Sequence, residues 1–300
     1  MIVLVVGRKG QLARAFVEAR SAAGIRVVTV GRPELDLLRP EGIALALDRV
    51  APDIVVNTAG YTAVDRAERE SELAFAVNSE GVGCLAAACA VRGAPIIHLS
   101  TDYVYDGTKH GPYVEGDAVN PVSVYGRSKL AGEQNLAAAN PRHIILRTAW
   151  VYAPFGTNFV RTMLRVAATR KEIAVVNDQH GNPTYAPHLV QAILSIIEKL
   201  GGEHTSPWGV YHSAGTGETT WFGFAQEIFR CHQGWDRESP IVRPITTAEY
   251  STPASRPPNS QLNTDKLART FGVRLPLWQD GVAECVQRLN INDAPDKLWQ

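Results

Sequence analysis

Tyr125 and Lys129, in the run VYGRSKLAGE, are one helical turn apart, so a helix would place a phenol and an ammonium on one face. Such a pair is an acid and its tuner: a free tyrosine, with a pKa of about 10, donates poorly at neutral pH, and a nearby cation moves it toward a useful value. A third group belongs with them. The segment HLSTDYVYDG brings Ser100 and Thr101 to the end of an apolar run, where a hydroxyl can hold a substrate oxygen. Hydroxyl, phenol and amine together suit proton delivery to a substrate oxygen. The Tyr-x-x-x-Lys spacing also arises by chance, so its weight rests on the elements around it.

Those elements read as alternating strands and helices. Ile2 to Val6 is an unbroken apolar run suited to a central parallel strand, and Gly7 ends it. Gly7 and Gly10, with Ala13 as the third member of a GxxGxxG pattern, lead into the periodicity of Leu12, Ala13, Phe16 and Val17. Strand, tight turn and helix in that order aim backbone N–H groups at a phosphate. Further strands are expected at Arg26 to Val30, Asp53 to Val56, Pro95 to Leu99 and His143 to Leu146, with a helix from Pro40 to Val50 and a long Ala-rich helix ending near Gly93. The fold class that follows is α/β, a Rossmann-type doubly wound parallel sheet. Residues 1–148 are expected to form the nucleotide-binding domain and residues 149–300 a smaller C-terminal α/β substrate-binding lobe interleaved with it, with helices at Asn158 to Arg170, Pro187 to Leu200 and Thr220 to Cys231. Ile173 to Val176 and Val210 to His212 read as strands returning to the main sheet.

Thirty basic and thirty acidic residues cancel, and no Lys/Arg block exists, which argues against nucleic acid or an anionic membrane surface as partner. No basic segment precedes the first apolar run, and no apolar segment reaches the length of a membrane span, so a cytoplasmic protein is expected. Cys84, Cys89, Cys231 and Cys285 show no CxxC pair and no His at ligand spacing; reduced thiols and no metal site follow.

The ordered hydroxyl, Tyr and Lys behind a glycine-rich first turn resemble the extended short-chain dehydrogenase/reductase superfamily. The segments NTAGYTAVDRAE, AFAVNSEGV, STDYVYDG, VYGRSKLAGE, RTAWVYAPFGTNFV, VNDQHGNPT and TPASRPPNSQLNT resemble more specifically the dTDP-4-dehydrorhamnose reductase family. That resemblance implies reduction of the 4-keto group of dTDP-6-deoxy-L-lyxo-4-hexulose by a nicotinamide, giving dTDP-L-rhamnose. Tyr125 would protonate the oxygen, Thr101 would hold it with Ser100 assisting, and Lys129 would bind the nicotinamide ribose and favour proton loss from Tyr125. Gly7, Gly10, Gln11 and Leu12 would cover the pyrophosphate; Asn57, Ala59 and Gly60, with Tyr61 nearby, would line the adenosine ribose and phosphate side. Asp36 and Leu37 resemble the pair that flanks the adenine. At the end of the second strand stand Gly31 and Arg32, and an Arg there accommodates a 2′-phosphate, so NADPH is favoured with NADH tolerated.

For the sugar nucleotide, Arg256 in ASRPPNS suits a diphosphate, because guanidinium binds phosphate oxygens bidentately. Trp150, Asn158 and Tyr103 are candidate sugar or base contacts, and Asp65 could accept a hexose hydroxyl. Gln179, Asn182 and Thr184 match a family block without an evident duty. His98, inside an apolar strand, reads as a hydrogen-bonded core residue, and His180 as a loop residue without a catalytic part. Asp65 to Glu72 reads as a solvated helix face. Two other readings share the fold. A sugar-nucleotide dehydratase or epimerase would use the same pair, but Tyr103 stands where the dehydratase pattern has Glu. The regulatory subunit of methionine adenosyltransferase is a binding module, against which the intact Thr101, Tyr125 and Lys129 set argues. Some relatives pair through magnesium-bridged glutamates; His188 in PTYAPHLV occupies one such position, so a monomer or a homodimer without a magnesium bridge is expected.

Overall fold

The apolar opening forms β1 (Ile2–Val6), and the glycine turn delivers the chain into α1 (Gln11–Glu18). In this computed structural model, which describes residues 1–19, 24–200, 207–232 and 239–292, the chain continues through β2 (Arg26–Val30), α2 (Pro40–Val50) and β3 (Ile54–Asn57). Next come α3 (Val64–Ala67), α4 (Ser71–Phe75), a π-helical turn at Ala76–Glu80, α5 (Gly81–Val91), β4 (Ile96–Thr101), α6 (Val124–Ala139) and β5 (His143–Thr148). Beyond Thr148 the elements shorten: β6 (Val151–Tyr152), α7 (Phe159–Ala167), β7 (Glu172–Val176), β8 (His180–Gly181), β9 (Thr184–Tyr185), α8 (Ala186–Leu200) and β10 (Gly209–His212). They close with β11 (Thr219–Thr220), α9 (Trp221–Cys231), β12 (Ile241–Ile245), α10 (Asp265–Phe271) and α11 (Trp278–Asn292).

Six strands pair side by side in the order β2-β1-β3-β4-β5-β10, every pair parallel. Because successive side chains face opposite ways, each strand feeds two cores. One holds Val3, Val5, Ile54, Val56 and Leu99 against α1, α8 and α10; the other holds Leu4, Val6, Val55 and Ile96 against α2, α5 and α6. Burial on both faces is the reason these strands read as continuous apolar runs. The order reverses between β1 and β3, so the loops after those two strands part and leave a crevice at the carboxyl edge of the sheet.

Two features differ from the sequence-based expectation. The run from Ile173 to Val176 does not return to the main sheet: β7 pairs with β12, because Ile173 and Val175 are needed in a separate core with Val160, Leu164, Phe224 and Ile228. Val210 to His212 does return, as β10 beside β5, and α8 and α10 cover one face of the main sheet, so the lobe interleaves with the first domain; positions 293–300 of the expected lobe lie outside the described residues. Finally, the helical stretch Ser71–Val91 is long and apolar enough to cross a membrane, with a mean hydropathy of 1.5 over its most apolar window. In this fold its Ala74, Val82, Leu85, Ala86 and Cys89 are buried, four of them in the core beneath α2 and α6.

Candidate active site

Ser123 starts α6 by accepting the Gly126 N–H at 3.1 Å, which sets Tyr125 in the first turn and Lys129 one turn on. Gly126 allows this approach: a Cβ there would collide with the Tyr103 carbonyl. The Thr101 hydroxyl, at the carboxyl end of β4, lies within hydrogen-bonding reach of the Tyr125 phenol. It donates to Asp102 Oδ1 at 2.9 Å and accepts the Tyr103 N–H at 3.1 Å. Asp102 is buried beside Ser260, and burial raises its carboxyl to about 6. The Tyr103 ring stands edge-on to Tyr125, centroids 5.9 Å apart.

Lys129 is the expected tuner of the Tyr125 phenol. Burial pushes the Tyr125 phenol up to about 12. The Lys129 amine donates to the Leu99 carbonyl at 2.7 Å and lies 3.2 Å from His98 Nε2. Burial lowers it to about 8, against the pull of Glu133.

Ser100 also departs from expectation. Neighbours on a strand face opposite sides, so with Thr101 at the site Ser100 points under α6 and donates to Glu133. Glu133 is held by Arg147 through Nη2–Oε2 at 2.6 Å and Nε–Oε1 at 3.0 Å. Arg147 also donates to the Tyr105 hydroxyl, which contacts His212 Nε2, both at 2.8 Å. This buried chain was not anticipated; a Glu two turns below Tyr125 and an Arg in an apolar strand were its only sequence signals.

On the cofactor side, Gly7 has φ +136°, and a Cβ there would lie 2.6 Å from Thr58 Oγ1, where the loops after β1 and β3 part. Gly10 begins α1 with no side chain capping its N-terminus, leaving the first-turn N–H groups of Gln11 and Leu12 for a phosphate. Gln11 is tied to Asn158, which donates to its Oε1 at 2.9 Å. Ala59 and Gly60 edge the crevice, Gly60 beside the Lys129 amine. The Asn57 side chain faces inward, accepting from Ala59 N and approaching His98, so it braces the loop instead of meeting a ligand. Tyr61 donates to Glu70 at 2.7 Å, Asp36 accepts the Leu38 N–H, and Leu37 is buried against Gly81. Arg32 is exposed at the end of β2. Arg8 reaches the same corner, paired with Glu34 at 2.7 Å and packed on Gly31. Its place directly after Gly7 was the signal for this second cation.

On the substrate side, Arg256 and Asp65 pair with each other. Trp150, at φ +45°, stacks on Trp221 with centroids 3.7 Å apart. Asn158 caps α7 and donates to the Ala153 and Phe155 carbonyls, so its side chain is engaged within the protein. Gln179 bonds Thr247 and Trp221; Asn182 bonds Gly217 and Leu262; Thr184 bonds Asn182 and Gly215. That block fastens loops. His180 exchanges backbone bonds with Pro258 and Ser260, bracing the loop that carries Arg256, and His188 contacts Glu284 at 3.1 Å.

The family described as RmlD substrate binding domain matches residues 1–291. A dTDP-4-dehydrorhamnose reductase from Sinorhizobium fredii is 47% identical over 290 residues, covering 96% of this chain and 98% of that protein. The crystal structure of a dTDP-4-dehydrorhamnose reductase from Clostridium acetobutylicum superposes with a TM-score of 0.89 at 36% identity, covering 97% of this chain and 100% of the other. That of the Bacillus anthracis protein, in complex with NADP, gives 0.86 at 34% identity over 97% and 99% of the two chains.

Proposed function

Since this chain belongs to the dTDP-4-dehydrorhamnose reductase family, we infer that the pocket above β4 reduces the C4 ketone of a dTDP-4-keto-6-deoxy-L-hexose to dTDP-L-rhamnose with NADPH. The observation that carries this reading is the meeting of Thr101 and Tyr125 at the carboxyl end of β4, with the Lys129 amine beneath Gly60 at the crevice. The crevice suits a dinucleotide: Gly7 leaves room that a Cβ would fill, and the N-terminus of α1 carries no side-chain cap. Gly7, Gly10, Gln11 and Leu12 would hold the pyrophosphate, and Arg8 with Arg32 would meet a 2′-phosphate. NADPH is the preferred cofactor and NADH is tolerated. When bound, the dihydronicotinamide supplies the hydride that the C4 carbon receives.

The side chains manage the oxygen. As C4 gains the hydride its oxygen gains negative charge, and Tyr125 delivers a proton to it. Ketone, hydride and proton together make the alcohol, and solvent restores the phenol's proton. Thr101 orients the phenol. While Asp102 is ionised the threonine proton is committed to Oδ1, leaving its oxygen to accept from Tyr125; a protonated Asp102 frees that hydrogen for the ketone oxygen. Lys129 holds the ribose side of the crevice through its remaining N–H, and Arg256, Tyr103 and Trp150 present cation and aromatic surface to the sugar nucleotide. The four cysteines are free thiols, which suits the cytoplasm. A monomer or a homodimer without a magnesium bridge is the working assembly; His188, at the position of a bridging glutamate in some relatives, contacts Glu284.

Incubation with dTDP-4-dehydrorhamnose and NADPH, followed at the nicotinamide absorbance band, should oxidise the cofactor and yield dTDP-L-rhamnose by NMR. Cofactor that binds without being oxidised would overturn the enzymatic reading in favour of a binding module.

A further inference from the structure

Glu68 has no part in the steps above, yet its carboxylate reaches the start of α6. The segment from Asp65 to Glu72 reads as a solvated helix face, and Arg66, Arg69 and Glu72 are indeed exposed. Asp65 and Glu68 turn the other way. Three residues apart, they share one side of the turn that begins with α3. Asp65 pairs with Arg256 and accepts the Ala254 N–H, while Glu68 Oε1 accepts the Val124 N–H at 2.8 Å. Beneath these bonds Ala67, Ala74 and Val124 form a small buried cluster, and the Tyr125 ring packs against it.

Val124 is the first residue of α6 and Tyr125 the second. The opening N–H groups of a helix have no partner within it, so a first turn frays unless something outside holds it. A proton donor in that turn inherits the freedom, and proton delivery requires the phenol to stay within hydrogen-bond reach of the substrate oxygen. Two ties oppose fraying here. Ser123 accepts the Gly126 N–H from within the cap, and Glu68 takes the Val124 N–H from a different part of the chain. A carboxylate also suits the positive end of a 16-residue helix. We propose that Glu68 is a positioning residue for the reductase site, fixing the first turn of α6 so that the Tyr125 phenol stays beside Thr101. The proposal rests on Tyr125 being the proton donor of the reductase reading. One short turn thus carries two carboxylates with separate duties: Asp65 holds the cation for the diphosphate, and Glu68 holds the helix that delivers the proton.

The duties separate in kinetics. Glu68→Ala should lower kcat by about tenfold while KM for the dTDP-sugar and the Kd for NADPH stay within about twofold, because the loss falls on alignment and not on uniform binding. Glu68→Gln keeps an oxygen that can accept the Val124 N–H and should restore most of kcat. Amide exchange of the full-length protein, with and without NADPH, should quicken across residues 122–127 in Glu68→Ala and stay unchanged in β1. Wild-type turnover in Glu68→Ala, a Gln variant as impaired as the Ala variant, or faster exchange throughout the chain with kcat and KM both altered would each overturn the proposal. Should Glu68→Ala fail to fold, Glu68→Asp keeps the charge but shortens the reach, and the same loss of kcat is expected of it; normal turnover there counts against the proposal equally. Exchange needs no turnover, so failure of the reductase reading would appear separately, as wild-type protein that does not oxidise NADPH.

Discussion

Asp65 and Arg256, 191 residues apart in the chain, meet through Oδ2–Nη2 at 2.9 Å and Oδ1–Nη1 at 3.1 Å. The guanidinium also donates to the Ala254 carbonyl and the Thr252 hydroxyl, so its position is held before any diphosphate arrives. The pair is partly exposed and adds about 1 kcal/mol or less to stability, so its main effect is on binding. Arg256→Ala should raise KM for the dTDP-sugar about tenfold or more while kcat changes little, the pattern of lost uniform binding. Asp65→Asn should shift KM the same way by less. Steady-state kinetics with each substrate varied checks both; an unchanged sugar KM in Arg256→Ala would remove the clamp.

Arg8 and Arg32 flank the end of β2 from two loops, which makes cofactor choice a shared property. Replacing either with Ala should lower kcat/KM for NADPH relative to NADH by about tenfold, because each supplies a charge to the 2′-phosphate. An unchanged ratio in both variants would place the 2′-phosphate elsewhere.

Much of this arrangement was legible in the residues. Ile2 to Val6 followed by Gly7 marks a strand buried on both faces and a turn, and Tyr125 with Lys129 marks one face of a helix, because both signals are local and periodic. What was not legible depends on packing. Ser100 and Thr101 are adjacent, and nothing local says which faces the pocket; only the contact with Glu133 does. Asn57 and Asn158 have chemistry suited to a ligand, but the fold turns both to backbone groups and side chains of the protein itself. The π turn at Ala76–Glu80, which carries the helix from Ser71 to Val91, left no periodic signal to read.

Asp102 makes stability depend on pH. Its carboxyl titrates near 6 in the fold, above the 3.8 of an unperturbed aspartate, so the folded state prefers the proton. The resulting stabilisation is complete below pH 3.8 and lost as pH rises through 6, a difference of about 3 kcal/mol. Asp102→Asn, always neutral, should therefore gain on the wild type between pH 5 and pH 8 in thermal unfolding. A melting-temperature gap that is the same at both values would show that Asp102 is not titrating there.

The Glu133–Arg147 pair is buried, each side chain 5% exposed, and its removal should be felt in folding before catalysis. Glu133→Gln leaves the guanidinium without its counter-charge and should cost about 3–5 kcal/mol in urea unfolding. The exposed Arg66–Glu70 pair is the control, where Glu70→Gln should cost far less. Equal losses would mean that the buried network is not what holds α6 against β5.

The most direct test of hydride reduction with a phenolic proton donor is the turnover of Tyr125→Phe under saturating NADPH and dTDP-4-keto-6-deoxy-L-hexose. The fold keeps the ring and loses only the hydroxyl, so kcat should fall by about two orders of magnitude or more, with the Kd for NADPH nearly unchanged. Near-normal turnover in that variant would contradict the assignment of Tyr125 as the donor.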